Sequence, residues 1–311
     1  MKVQNPPLDS KSILQMHHLW LSAFGDDFVS DVPDGVFYGE EEKWNSTNIY
    51  QHRVNNQTIA TGILIRSLAL PSLGGLGEVS TDPEYRGKGL ATAICERLVS
   101  DFRNTEGRAL FLGTVNPNAA RIYERLGWRH IKGTKLMVNM SGFAEYDVFI
   151  REYFSDAVPA TICEAKPSAR IPLIPLIIFP HDWTILDSNI SLYSTNVMTQ
   201  LSCLGLYRRY DNLRSHQQGE WFTLLSEDEK VLGISSAAHK GEKRYQVDGF
   251  CHPYYEDFFV QLVQTAVNWC ESMDAREIII NVLKEDIDKG NLILNIEKDM
   301  NLGKLMKVVI N

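Results

Sequence analysis

The sequence has no Cys-x-x-Cys spacing, no His-x-x-x-His pair beside a carboxylate, no apolar run long enough to span a bilayer and no excess of positive charge. Each absence removes a class of protein. Cys95, Cys163, Cys203, Cys251 and Cys270 are an odd number without metal-ligand spacing, so neither a zinc site nor a disulfide framework is indicated. The histidine pattern likewise gives no reason to expect a metal. The longest apolar run, Ile171 to Phe179, is interrupted by Pro172 and Pro175 and falls short of the roughly 18 residues a membrane span needs. Met1 to Pro7 lacks the apolar core of a signal peptide, so a cytoplasmic location is expected. A formal net charge of -8 disfavours nucleic acid as a partner and mildly favours a cationic one.

What is present reads as two halves with one plan, in a chain of 311 residues that suits two domains of about 150. Ile13, Met16, Trp20 and Phe24 recur at helical spacing after Asp9 or Ser10 as cap. Ile49 to Ser67 reads as a hairpin turning at Asn55-Asn56, and Leu76 to Thr81 as a strand. A helix from Lys88 to Arg103 and a strand from Arg108 to Val115 follow, then a helix opened by Asn116-Pro117 and ended at Gly127. The second half repeats the order. Trp221 to His239 is a hairpin around Glu227-Asp228-Glu229, Tyr245 to Phe250 a strand, Asp257 to Cys270 a helix and Glu277 to Val282 a strand. Gly133 to Val138 and Gly303 to Val308 even share a pattern. A linker is expected between Phe154 and Ala169. Cys95 and Cys270 fall on the apolar sides of predicted helices and are expected in the core.

The two halves differ most where the first reads Asp82-Pro83-Glu84-Tyr85-Arg86-Gly87-Lys88-Gly89-Leu90-Ala91, a strand breaking into a glycine-rich turn that opens a helix. That layout suits an anion. Gly87 and Gly89 let the backbone approach a phosphate, the helix start offers unpaired N–H groups and its positive dipole end, and Arg86 and Lys88 add charge. A dinucleotide-binding turn would want a third small residue and an acid at the end of the next strand, and neither is present. The second half has Cys251-His252-Pro253-Tyr254-Tyr255-Glu256 in the corresponding place, with no glycine to admit a phosphate.

Arg86-Gly87-Lys88-Gly89-Leu90-Ala91 resembles the Arg/Gln-x-x-Gly-x-Gly/Ala fingerprint of the GNAT superfamily of N-acetyltransferases, and Asn116-Pro117-Asn118-Ala119-Ala120-Arg121-Ile122-Tyr123-Glu124-Arg125-Leu126-Gly127-Trp128 resembles a second segment of that family. The resemblance covers about residues 48 to 140. It implies an α+β fold of two tandem GNAT-like domains, each a mixed, mostly antiparallel sheet flanked by helices. Residues 1–150 would be the catalytic, acetyl-CoA-binding domain and residues 151–311 a degenerate copy. The tandem plan is similar to that of two-domain GNAT proteins such as the enhanced intracellular survival acetyltransferases.

What the resemblance implies for the site follows residue by residue. Arg86, Gly87, Lys88, Gly89, Leu90 and Ala91 would hold the coenzyme A pyrophosphate, and Val79, Ser80 and Thr81 would present backbone N–H groups to the thioester carbonyl. Asn116 is read first as the N-cap of its helix and is counted with the cofactor-binding residues as well. Tyr123 would donate a proton to the departing thiolate; its alternative is a core tyrosine with a satisfied hydroxyl. Glu78 would take the proton of the amine, directly or through water; its alternative is a solvated strand carboxylate. The acids and aromatics of Gly25 to Glu42 would line the approach of a cationic amine. The expected reaction is direct transfer of an acetyl group to a primary amine, with acetyl-CoA as cosubstrate and no metal. A non-catalytic acyl-CoA sensor or scaffold and a protein N-acetyltransferase stand as alternatives. The expected partner is a small-molecule amine, a homodimer is left open, and neither nucleic acid nor membrane is expected.

Overall fold

A computed structural model describes residues 1–143, 145–299 and 306–310, and divides the chain into two compact units. The first comprises Met1–Val148 with Leu201–Gly205, the second Phe149–Gln200 with Leu206–Asn311. No helix among the described residues is long and apolar enough to cross a membrane.

The first unit is built on a seven-stranded sheet in which β1 (Lys2–Gln4), β2 (Asn45–Val54), β3 (Gln57–Ser67) and β4 (Leu73–Thr81) follow one another antiparallel. Beyond them lie β5 (Ala109–Gly113), parallel to β4, and β7 (Leu136–Met140) with β6 (Arg129–His130) at the edge. The β2–β3 hairpin turns where expected, with Asn55 and Asn56 both at positive φ, the geometry a two-residue turn demands and asparagine tolerates. Helices cover both faces of the sheet. Trp20 of α1 (Ser10–Phe24) reaches Thr61 on one face of β3, while Ile94 of α3 (Leu90–Arg103) sits where a Cβ on Gly62 would be 2.6 Å from it on the other. With both faces covered, β3 is buried at nearly every position from Thr58 to Ser67 rather than at alternate ones. Between α1 and β2 lies the short α2 (Asp34–Phe37), and α4 (Pro117–Arg125) follows β5.

Asp9 caps α1 as expected, accepting from the Ser12 N–H at 2.8 Å, and Asn116 caps α4, accepting from the N–H groups of Asn118 and Ala119. α3 begins at Leu90 rather than Lys88. Gly89 is its N-cap, in the left-handed region at φ 75°, and a chain with Gly87 and Gly89 both at positive φ cannot continue a helix through Lys88. Cys95 and Cys270 are buried, with the Cys95 thiol pushed up to about 12 chiefly by burial, which keeps it neutral.

α5 (Tyr146–Ser155) leads into β8 (Pro159–Glu164), which pairs with β11 (Gly219–Ser226). The stretch expected as a linker is therefore an edge strand of the second sheet. Proline, alanine and charge mark it as exposed, and an edge strand satisfies that marking equally well. That sheet continues through β12 (Val231–His239), β13 (Arg244–Cys251), β14 (Glu277–Val282) and β15 (Met306–Ile310). α6 (Leu173–Ile178) and α8 (Phe259–Ser272) pack on β12, and α7 (Leu204–Ser215) and α9 (Ile287–Asp299) complete the helices. The helix expected from Asp257 starts at Phe259, after a 3-10 turn over Pro253–Phe258.

The two sheets share a strand plan up to a point. β4 and β13 each run parallel to the next strand for a few residues and then lose it, β4 after Leu76↔Leu112 and β13 after Gln246↔Ile279. The last strands differ, since β7 is antiparallel to β5 whereas β15 is parallel to β14. The matching endings seen in the sequence thus enter their sheets in opposite senses, and residues 303–305 of the second lie outside the described residues.

In the second unit the segment holding β9 (Ile185–Asp187) and β10 (Leu192–Tyr193) packs against β13 beyond its last pairing with β14. The buried Lys289 ammonium donates to Asp248 at 2.6 Å and to the carbonyls of Ile185 and Leu186, and Asp248 accepts in turn from the Ser188 N–H and hydroxyl. With all three ammonium protons and both carboxylate oxygens engaged, the buried pair is tolerated. His252 and Tyr255, in the turn that follows β13, are buried as well. His252 stacks on Phe154 at 4.0 Å between ring centroids, and the Tyr255 hydroxyl donates to the carbonyls of Phe154 and Ala157.

Burial also makes this unit sensitive to acid. It pushes His181 down to about 4 and His252 down to about 3. Both histidines bind protons in the unfolded chain near pH 6.5 but not in the folded one, so stability falls as pH drops from about 6.5 toward about 4. At about pH 5 the loss is roughly 2 kcal/mol for each. Asp187, pushed up by burial and then by Asp248, works in the opposite direction, and two histidines outweigh it. His252→Asn keeps an acceptor for the Tyr254 N–H and removes one titration. Its melting temperature is expected to fall less steeply with acidification than the parent's; parallel curves would show that His252 does not titrate as argued.

Candidate functional site

The site begins with a defect in strand pairing. β3 and β4 match Thr61 with Ser80 but Ile63 with Gly77, so Glu78 and Val79 oppose the single residue Gly62 in a β-bulge. Glu78 takes φ 51°, a conformation uncommon for a non-glycine residue inside a strand. Thr61 holds it there: its hydroxyl donates to the Glu78 carbonyl at 2.8 Å and accepts from the Trp20 indole N–H at 2.9 Å, with the Ser80 hydroxyl at 2.8 Å. The Glu78 carboxylate is fixed by the Ser30 hydroxyl at 2.6 Å and the Asp31 N–H at 3.2 Å, both on Oε1.

Beyond the bulge, β4 has no strand partner on its β5 side from Gly77 to Thr81, and two cavities open along it. The first, about 550 Å³, is lined by Val79, Ser80 and Thr81, by Arg86, Gly87, Gly89, Leu90 and Ala91, and by α4 residues including Arg125. None of the six successive N–H groups from Gly87 to Thr92 meets a protein acceptor among the described residues. The Thr81 hydroxyl oxygen is buried there without a partner either. Unpaired amides at a helix start, next to two guanidinium groups and no carboxylate, fit an anion. The Arg86 side chain also anchors the turn, donating to the carbonyls of Thr81 and Ala23. Lys88 is not in the lining, because its ammonium lies over the Tyr85 ring at 4.5 Å.

The second cavity, about 520 Å³, shares Phe24, Val79, Asn116 and Ala119 with the first and adds Glu78, Asp31, Phe28 and Tyr123. Among the described residues, its only charged lining residues are Asp31 and Glu78. Ala119 and Tyr123 are one helical turn apart, so the cap at Asn116 that starts α4 also aims Tyr123. The Tyr123 ring is buried against Trp128, at 6.0 Å between centroids, and burial pushes its phenol well above the usual range. No protein group among the described residues takes a hydrogen bond from its hydroxyl. Glu78, Tyr123, Val79 and Asn116 therefore meet around one cavity. Of the Gly25 to Glu42 segment, Phe28 and Asp31 reach it, whereas Phe37 is core and Asp34 pairs with His17. Sequence reasoning missed Thr61, Ser30 and Arg125, along with Leu201–Leu204, which line the second cavity from a region carrying no motif. Among the described residues no group of three or more His, Cys, Asp or Glu is placed to hold a metal.

The structure of a GNAT-family acetyltransferase from Staphylococcus aureus Mu50 is similar at 13% identity and a TM-score of 0.36, over 45% of this chain and 99% of that one. The ribosomal-protein-S18-alanine N-acetyltransferase of Escherichia coli is similar at 18% identity and a TM-score of 0.34, over 47% and 99%. Rv2747 of Mycobacterium tuberculosis, in complex with CoA and NLQ, is similar at 18% identity and a TM-score of 0.32, over 50% and 89%. No curated protein matches the chain. The sequence profile of the acetyltransferase (GNAT) family matches residues 13–128, the span that holds the bulge, the glycine turn and Tyr123, and over that span the chain is a GNAT acetyltransferase domain.

Proposed function

We infer that the protein transfers an acetyl group from acetyl-CoA directly to a primary amine. The observation that carries this reading is the division of charge between two adjoining cavities: arginines alone among the charged lining residues on the side of the glycine turn, carboxylates alone on the side of Tyr123. An anionic cosubstrate and a cationic acceptor would each find its own side and meet at Val79. Acetyl-CoA would supply the activated acyl group. The backbone of Gly87 to Ala91 would hold its pyrophosphate, with Arg86 nearby, and the unpaired edge of β4 from Val79 to Thr81 would hold the thioester carbonyl. In this reading the first unit is catalytic, and the second is a GNAT-like copy that lost its cradle.

The remaining work is proton transfer. An alkyl ammonium of pKa about 10.4 is only about 0.04% neutral at pH 7, a handicap of roughly 4 to 5 kcal/mol. Glu78 would accept that proton, directly or through water, and Tyr123 would donate one to the thiolate. Glu78→Gln keeps an acceptor for Ser30 and Asp31 and removes the base. Its kcat/KM is expected to fall about 10²-fold at neutral pH and to recover about tenfold for each pH unit above it, as solvent deprotonates the amine instead. The check is a pH–rate profile by thiol release. Parallel profiles for parent and variant would remove Glu78 from the role, and acetyl-CoA binding without turnover on any amine would leave a sensor in place of an enzyme.

A further inference from the structure

Leu201–Gly205 belongs to the first unit although the rest of its neighbourhood in sequence does not. It lies across the open ends of both diverging strands. A Cβ on Gly113 of β5 would stand 2.7 Å from the Leu201 carbonyl oxygen and 2.8 Å from the Ser202 Cα, and one on Gly77 of β4 would stand 2.6 Å from a Leu204 methyl. Both strands carry glycine where the segment passes, so its approach is built into β4 and β5. Within the segment Cys203 and Leu204 are buried, while Leu201 stays half exposed at the rim.

A lock holds the segment down. The Ser202 hydroxyl donates to Asp31 Oδ2 and accepts from the Gly205 N–H at 3.1 Å. Gly205 lies so close to the same carboxylate that a Cβ there would be 2.6 Å from Asp31 Oδ1. Asp31 in turn donates its N–H to Glu78, so the segment, the lock and the bulge carboxylate form one chain of hydrogen bonds.

On the reading given above, we propose that Leu201–Gly205 is a built-in wall on the acceptor side of the site that restricts the acceptor to a compact primary ammonium ion and keeps a polypeptide from lying across the strands. The space beside it, about 520 Å³, is of small-molecule size. Its two carboxylates and the Phe24–Phe28 pair, 4.6 Å between centroids, suit a cation with a small apolar body.

The test is calorimetry on the full chain saturated with coenzyme A, using benzylammonium chloride, neutral benzyl alcohol and a lysine-containing octapeptide. Binding rather than turnover is read, so the result does not depend on the catalytic roles of Glu78 and Tyr123. The parent is expected to bind benzylammonium, and to bind the alcohol and the octapeptide at least tenfold more weakly. Ser202→Ala, which opens the lock, and Leu201→Gly, at the exposed rim, are each expected to raise octapeptide affinity at least tenfold with coenzyme A affinity unchanged. Octapeptide binding to the parent as tight as that of benzylammonium would overturn the proposal. So would failure of benzylammonium to bind, or peptide affinity unmoved in both variants while coenzyme A still binds them normally. Amine binding with no acetyl transfer would instead count against the enzymatic reading and leave the wall standing.

Discussion

Tyr123→Phe is expected to lower kcat by about 10²-fold or more while leaving coenzyme A affinity and melting temperature nearly unchanged. The expectation has two independent parts. The hydroxyl meets no protein acceptor among the described residues, so removing it orphans no partner, and the ring keeps its place against Trp128. A core tyrosine with a satisfied hydroxyl would behave in the opposite way, losing stability and keeping its rate. Burial holds the phenol protonated through the working pH range, so the variant's rate loss should be the same at every pH at which the parent is active. Steady-state rates and a thermal melt on the same preparation decide the matter. Full turnover in the folded variant would remove Tyr123 from the chemistry.

The second large effect is expected at Gly89→Val. A β-branched residue at φ 75° is strained by roughly 1–3 kcal/mol, yet among the described residues nothing beyond its chain neighbours lies within 4 Å of its Cβ, so the unit should fold with a lower melting temperature. Coenzyme A affinity should fall at least 100-fold, because the added methyls stand beside the six unpaired N–H groups and keep the anion from reaching them. Gly142→Val is the matched control. Gly142 has φ 81° and open space around its Cβ, but it lies outside the cavity. It should show the same strain and unchanged coenzyme A binding. Equal affinity losses in the two variants would mean that strain, and not the cradle, explains the effect.

The sequence by itself determined those features whose causes are local. Asp9 and Asn116-Pro117 announce helix starts because a side-chain oxygen a few atoms from an unpaired N–H caps it whatever lies beyond, and Asn55-Asn56 announces a turn because few residues accept two successive positive φ angles. The glycine turn was legible for the same reason, whereas Tyr123 stood out only through the resemblance of its segment to a family segment. Only the tertiary structure decided what depends on partners far apart in the chain. The bulge at Glu78 exists because β3 and β4 differ by one residue between their fixed pairings, and Thr61 of β3, Trp20 of α1 and Ser30 of the loop after α1 hold it. The strand that replaced the expected linker needed β11 as a neighbour before its sequence meant anything. Leu201–Gly205 carries no periodicity, cap or motif; its place over Gly77 and Gly113 is set by packing and by a single hydroxyl on Asp31, across 171 residues of chain. Burial, unlike helix capping or turn formation, is a property of the assembled surface, and no window of sequence contains it.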